Sequence, residues 1–103
     1  MIKVSVFYPY TAGKKFDIAY YVEKHMPMVR RELGAACKGL AVEHGVAGAE
    51  AGAPPTYIAM GHAFFDSAEA FQAAWAPHAE AIMGDVPNYT TIQPIMQVSE
   101  VKM

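Results

Sequence analysis

His25 stands two residues before Pro27 in the run Lys24-His25-Met26-Pro27, and this pairing is the sharpest chemical signal in the chain. Pro27 has no N–H to give to the carbonyl of Glu23, and its ring disfavours helical geometry at Met26. A helix through this run must therefore kink or restart just after His25. The break leaves a polar gap beside an imidazole that shares a helical stripe with Ile18, Val22 and Val29. Imidazole titrates close to neutrality and partial burial tunes it, so His25 can serve there as a general acid or base. The structural alternative is that His25 only hydrogen-bonds the broken turn. A second run, Gly84-Asp85-Val86-Pro87-Asn88-Tyr89, offers Asp85 to orient a histidine or a substrate hydroxyl, and Tyr89 to line the mouth of a pocket. Its plainer role is the exit from a helix toward the last strand, since Asp85 and Asn88 are turn formers and Pro87 holds Val86 extended.

The other chemistry-bearing residues are scattered. His44 and His62 fall on strands among apolar neighbours, as core, dimer-interface or ligand-facing groups, and His78 follows Pro77 at a solvated position. No HxH, HxxxH or carboxylate spacing supports a metal site, so none is expected. Without a Gly-rich phosphate loop or a G-x-S-x-G elbow, nucleotide-binding and serine-hydrolase chemistry fall away, and no cofactor is expected. Tyr20, Tyr21, Phe71, Trp75, Tyr89, Met28, Met60 and Met83 suffice either to line a pocket for a flat or bulky apolar ligand or to fill a small core. Tyr20, Trp75 and Tyr89 are the expected pocket walls around His25.

Elements must hold these residues. Ile2, Val4, Val6 and Tyr8 alternate with Lys3, Ser5 and Phe7, which is the period of a half-buried strand. From Phe16 to Leu33 the apolar spacing turns helical, and Gly34 stands where a helix C′ residue belongs. Lys38 to Val46 alternates again, with Leu40, Val42, His44 and Val46 on one face. After an Ala/Gly/Pro loop, Tyr57 to Phe65 forms a third strand with Ile58, Met60, His62 and Phe64 on one side and the smaller Ala59, Gly61 and Ala63 on the other. Asp66, with Glu69 three residues on, reads as the N-cap of a helix through Phe71 and Trp75 that is interrupted at Pro77 and resumes to Met83. Ile92 to Val101 is the last strand. The order βαββαβ fits a ferredoxin-like α+β sandwich, a four-stranded antiparallel sheet with both helices on one face.

The chain has 103 residues, 53% apolar and 17% charged, with net charge −2, which is enough for one domain spanning residues 1–103 and argues against disorder. The apolar share is high for a small monomer. Apolar residues on both sides of the strands, such as Phe7 against Val6 and Phe64 against Phe65, place part of the excess on the sheet's second face, where a second copy is the economical cover. A homodimer is expected. Lys and Arg are few and unclustered, against a nucleic-acid partner. Cys37 has no second cysteine to pair with, and no apolar run approaches the roughly 18 residues that span a bilayer. With no signal-peptide pattern at the N-terminus, a reduced, cytoplasmic protein without a membrane partner is expected.

The run Phe16-Asp17-Ile18-Ala19-Tyr20-Tyr21-Val22-Glu23-Lys24-His25-Met26-Pro27-Met28 resembles the signature of EthD-type proteins, in which a histidine precedes a helix-breaking proline at fixed spacing. Phe64-Phe65-Asp66-Ser67, with Phe71 and Trp75 behind it, and Gly84 to Tyr89 resemble that family's later segments. The resemblance implies a dimeric α+β barrel of ferredoxin-like protomers. The family takes its name from ethyl tert-butyl ether degradation, where its member accompanies a cytochrome P450 system. Relatives include cofactor-independent isomerases of muconolactones and decarboxylase-like or dehydratase-like proteins of polyketide pathways. The resemblance carries function to His25 first and then to Asp85, Asn88 and Tyr89. It implies a protein that binds a small apolar or aromatic metabolite, either as an isomerase-type or decarboxylase-type enzyme or as a non-catalytic accessory dimer. In the enzyme, His25 and Asp85 are catalytic and Tyr20, Trp75, Asn88 and Tyr89 bind substrate. Some members carry a long insertion between the second and third strands; here only the loop from Gly48 to Pro55 occupies that place.

Overall fold

The structure is a computed structural model that describes all 103 residues. Strands β1 (Ile2–Pro9), β2 (Gly39–His44), β3 (Tyr57–Phe65) and β4 (Ile95–Glu100) form one sheet in the order β2-β3-β1-β4, with every neighbouring pair antiparallel. The helical segments are α1 (Ile18–Tyr20), α2 (Met26–Leu33), α3 (Ala68–Trp75) and α4 (Ala79–Gly84). This is the ferredoxin-like α+β arrangement. No helix is long and apolar enough to cross a membrane.

Strand alternation assigns the two faces as the sequence pattern requires. Val4 and Tyr8 of β1 and Ala59 and Phe65 of β3 are buried in the core with Tyr21, Met26, Val29, Leu33, Phe71 and Ile82 from the helical layer. The registers Phe7↔Met60, Ser5↔His62 and Lys3↔Phe64 put those six side chains on the opposite face, because directly paired residues point the same way. Ile95, paired with Phe7, lies there too. His44, the last residue of β2, is exposed rather than in the core, and Val46 lies beyond the strand in open solvent.

The helix through Pro27 does not break. Met26 keeps helical dihedrals, φ −66° and ψ −37°, and its N–H reaches back five residues to the carbonyl of Tyr21. Tyr21–His25 is a π-helical turn that leads directly into α2. The missing donor of Pro27 is thus absorbed by widening the preceding turn instead of by a restart. Widening also rotates the buried face. Tyr21, His25, Val29 and Leu33 are buried at four-residue steps, whereas Val22, expected on the core stripe, is 49% exposed.

Two other boundaries differ from the sequence expectation. The N-cap of α3 is Ser67, not Asp66; its Oγ accepts from the Ala70 N–H at 3.1 Å. Ser67→Ala should therefore cost about 1 kcal/mol, seen as a drop of roughly 4–8 °C in melting temperature, whereas Asp66→Ala should leave α3 unchanged. β4 begins at Ile95 rather than Ile92, because Pro94 has no N–H for the ladder. Ile92 is buried instead, its N–H bonded to Thr90 Oγ1 at 3.0 Å.

Candidate functional site

The histidine and the acidic run meet because the chain after α4 is laced to the start of α1. Asp17 N–H donates to the Tyr89 carbonyl at 2.9 Å, Thr90 Oγ1 donates to the Lys15 carbonyl at 2.7 Å, and Phe16 and Thr90 form a β-bridge. Asp17 also caps α1 by accepting from the Tyr20 N–H at 3.0 Å. Val86, expected to be extended, opens a 3-10 turn over Val86–Asn88, where Pro87 sits in the first turn and needs no donor. That turn aims Asp85 and Tyr89 at the π-helical turn that carries His25.

His25 is buried, and its Nδ1 lies 2.9 Å from Asp85 Oδ2. The other carboxylate oxygen, Oδ1, accepts from Tyr20 Oη at 2.8 Å and from Asn88 Nδ2 at 2.8 Å. Because the carboxylate only accepts, Nδ1 carries the proton and Nε2 is left with its lone pair. Tyr89 Oη lies 3.5 Å from Nε2, the long end of hydrogen-bond reach, and 2.6 Å from Tyr8 Oη. Tyr21 stacks on the imidazole with ring centroids 5.3 Å apart and planes 13° from parallel.

Burial lowers the pKa of His25 below its ordinary value, and the hydrogen bond and charge of Asp85 offset this only in part. Burial would raise Asp85, but the donors of Asn88, His25 and Tyr20 outweigh it and hold the carboxyl below the usual range. Tyr8, Tyr21 and Tyr89 are pushed up, chiefly by burial, and stay protonated donors. Near neutral pH the arrangement is a carboxylate, an uncharged imidazole oriented by it, and an Nε2 lone pair with the Tyr89 hydroxyl 3.5 Å away. This is the geometry of a general base held in one tautomer.

Both shifts make stability depend on pH in the same direction. A depressed His25 pKa means that the unfolded chain binds a proton first. Stability should therefore fall as pH drops below the ordinary histidine value of 6.5 and level off once folded His25 is itself protonated. Asp85 adds a second loss as pH falls below 3.8 toward its depressed value. Urea titrations across this range should show the first loss in the wild type and a smaller one in His25→Gln.

On its other side His25 borders an apolar cavity of about 50 Å³ between the helical layer and the sheet. Trp75, Phe71, Tyr21, Gly61 and Val29 share its wall. Met83 and Met96 also line it and are 37% and 39% exposed, so they mark the side open to solvent. The structure thus draws His25, Asp85, Tyr20, Asn88 and Tyr89 into one hydrogen-bonded cluster. Trp75 lies apart from that cluster and shares only the cavity with His25. Tyr20, Asp85 and Asn88 stand on the Nδ1 side of the imidazole and Tyr89 Oη lies near Nε2; none of the four contributes to the cavity wall.

Tyr8 and Gly61 belong to the site without having been singled out for it, and Tyr21 was named only among the residues that could line a pocket or fill the core. The signals were present: alternation turned Tyr8 and Gly61 to the helical face, and Tyr21 precedes His25 by one helical turn. His62 is engaged elsewhere, with Nδ1 at 2.7 Å from Ser5 Oγ and Nε2 at 2.7 Å from Glu43 Oε1. Ser5 is 2% exposed, which closes its hydroxyl to ligands. His78 pairs with Glu32 at 2.9 Å, tying the start of α4 to α2.

A ferredoxin-like α+β protomer with an Asp–His pair beneath its helices is the class that fold and site define. The family model described as EthD domain matches residues 12–93, and the chain belongs to the EthD family. The crystal structure of an EthD-like protein from Ralstonia eutropha is 53% identical, with a TM-score of 0.95 over 99% of this chain and 92% of that one. An EthD family protein from Bacillus halodurans is 16% identical, with a TM-score of 0.68 over 99% of each chain. A dimeric ferredoxin-like protein from Thermobifida fusca is 15% identical, with a TM-score of 0.65 over 97% of this chain and 90% of that one. The last two share the fold alone. A comparison with curated proteins gave no match.

Proposed function

We propose that this protein is a cofactor-independent acid–base enzyme of the isomerase or decarboxylase type, acting on a small apolar or aromatic metabolite, with His25 Nε2 as the base. The observation that carries this is the placing of an oriented, uncharged imidazole on the wall of an apolar cavity. Asp85 holds the tautomer, Tyr20 and Asn88 hold Asp85, and Tyr89 bridges His25 to Tyr8. Trp75 and the methionines shape the ligand's surroundings. At about 50 Å³ the cavity is well below the ~150 Å³ that holds a benzene ring. Substrate entry therefore requires Met83 and Met96 to swing, which their unbranched side chains allow.

Solvent-deuterium uptake into a panel of small carbon acids, followed by NMR, tests the proposal. Uptake above the buffer rate that disappears in His25→Ala is expected, and equal uptake in both proteins would overturn the role of His25. A second reading, a non-catalytic ligand-binding dimer supporting an oxygenase, is favoured by the complete pairing of buried side-chain polar atoms. On that reading His25 chiefly anchors the turn, so its removal costs stability rather than turnover.

A second copy on the face bearing Phe7, Met60, Phe64 and Ile95 completes the functional unit. The apolar character of that face supports it, and sedimentation velocity at micromolar concentration reads it directly.

A further inference from the structure

The cavity wall contains no Lys, Arg, Asp or Glu; its titratable residues are two histidines and two buried tyrosines, and the side chain of one histidine, His62, turns to the sheet's opposite face. There both of its ring nitrogens are engaged, by Ser5 and Glu43. Tyr8 Oη is engaged by Tyr89, so His25 and the Tyr21 hydroxyl, neither of them a cation, are the polar groups left to meet a ligand, and Asp85 stands 2.9 Å from His25 Nδ1. An anion entering this space would lose its hydration, find no cation on the wall and face the field of a carboxylate through the ring. An uncharged apolar molecule loses little on entry. Among uncharged apolar molecules, carbonyl compounds are the common metabolite class with an acidic C–H, which they carry beside the C=O.

We infer that the His25 cavity takes uncharged carbonyl compounds, compact ketones or enones, and rejects carboxylates. This rests on the acid–base reading and narrows it to proton transfer on a neutral carbon acid, excluding decarboxylation. The step balances without a co-reactant. Nε2 takes the proton from the carbon beside the carbonyl, and the C–H electron pair moves to form the C=C of an enolate whose charge rests on oxygen. The same proton then returns to a different carbon of the conjugated system, so a β,γ-enone leaves as the α,β-isomer and the imidazole is regenerated. Tyr21, stacked on His25 and sharing the cavity wall, brings a hydroxyl that burial keeps protonated to the same space.

Trp75, the one tryptophan of the chain, lines the cavity and makes its indole N–H signal a direct reporter. Titration of the labelled protein with cyclohexanone near neutral pH should move that signal saturably. Cyclohexanecarboxylate, of similar size, should need at least about ten times the concentration. Met96→Lys, which puts a cation at the exposed edge of the cavity, should narrow or reverse that preference.

A carboxylate that saturates at the same or lower concentration overturns the inference, as does a signal that neither compound moves. A Met96→Lys protein with an unchanged preference also overturns it, because wall charge is then not what selects. Deuterium uptake into cyclohexanone separates this from the parent proposal. Ketone-selective binding without protein-dependent uptake leaves the selectivity standing and removes the catalysis. Uptake that depends on His25, together with preferred carboxylate binding, does the reverse.

Discussion

His25→Ala is expected to slow proton exchange on a bound carbon acid by about 10²–10⁴-fold while the protein stays folded. The rate effect follows from His25 standing on the cavity wall as the proposed base: without it, Asp85, which does not reach that wall and is held below the usual carboxylate range, cannot substitute. The stability effect follows from counting what the imidazole leaves unpaired. Asp85 keeps Tyr20 and Asn88 as donors on Oδ1 at 2.8 Å each, so its charge is not stranded. Tyr89 keeps Tyr8 at 2.6 Å. What is lost is one charge-assisted hydrogen bond and the stacking with Tyr21, together about 1–3 kcal/mol. Thermal melts beside the exchange assay distinguish the two roles. A large rate loss with a modest melting shift supports the enzyme; a collapse in melting temperature with no activity to lose supports the accessory dimer.

Gly61→Ala is expected to be among the most damaging one-carbon changes available in this protein. A Cβ at position 61 would stand 2.0 Å from Tyr21 Oη and 3.2 Å from its Cζ. Tyr21 cannot yield easily: it is buried, packs edge-on to Tyr8 with centroids 5.6 Å apart, and stacks on His25. Overpacking of this kind costs about 1–3 kcal/mol, and Gly61→Val, with two more carbons, should cost more. The damage also reaches the chemistry, because a displaced Tyr21 takes the imidazole stack with it. Gly61→Ala combined with Tyr21→Phe removes the worst contact, so the double variant should be more stable than the sum of the two single changes implies. Urea unfolding of the four proteins measures this coupling; purely additive effects would mean that the strand, and not Tyr21, sets the need for glycine.

Much of the site could be read from residue types alone. A histidine before a proline in a helical run, and an Asp-x-Pro-Asn-Tyr run after a second helix, named His25, Asp85 and Tyr89 without any coordinates, and the family resemblance added Asn88. Their geometry could not be read. Asp85 and His25 are 60 residues apart, and the bonds that join their elements run through backbone groups of Asp17 and Tyr89 and the carbonyl of Lys15, which no side-chain pattern records. Tyr20 and Tyr89 read as pocket walls because aromatic residues near a histidine serve equally as walls or as supports. Which they are depends on the side of the imidazole they occupy, and the π-helical turn decides that by rotating Tyr21 inward and Val22 outward.

By itself the sequence determined the order βαββαβ, the two faces of the first three strands and the family, because these follow from local periodicity and from motifs held within a few residues. Family membership is borne out by the match over residues 12–93 and by the 53% identical relative. The tertiary structure alone decided how Pro27 is accommodated, that Tyr21 and not Val22 shares the buried face with His25, and that the Asp–His pair stands beside an uncharged cavity. Each of these depends on where backbone donors and acceptors find partners across the fold, and local sequence constrains a residue's own dihedrals far more tightly than the partners its backbone will meet.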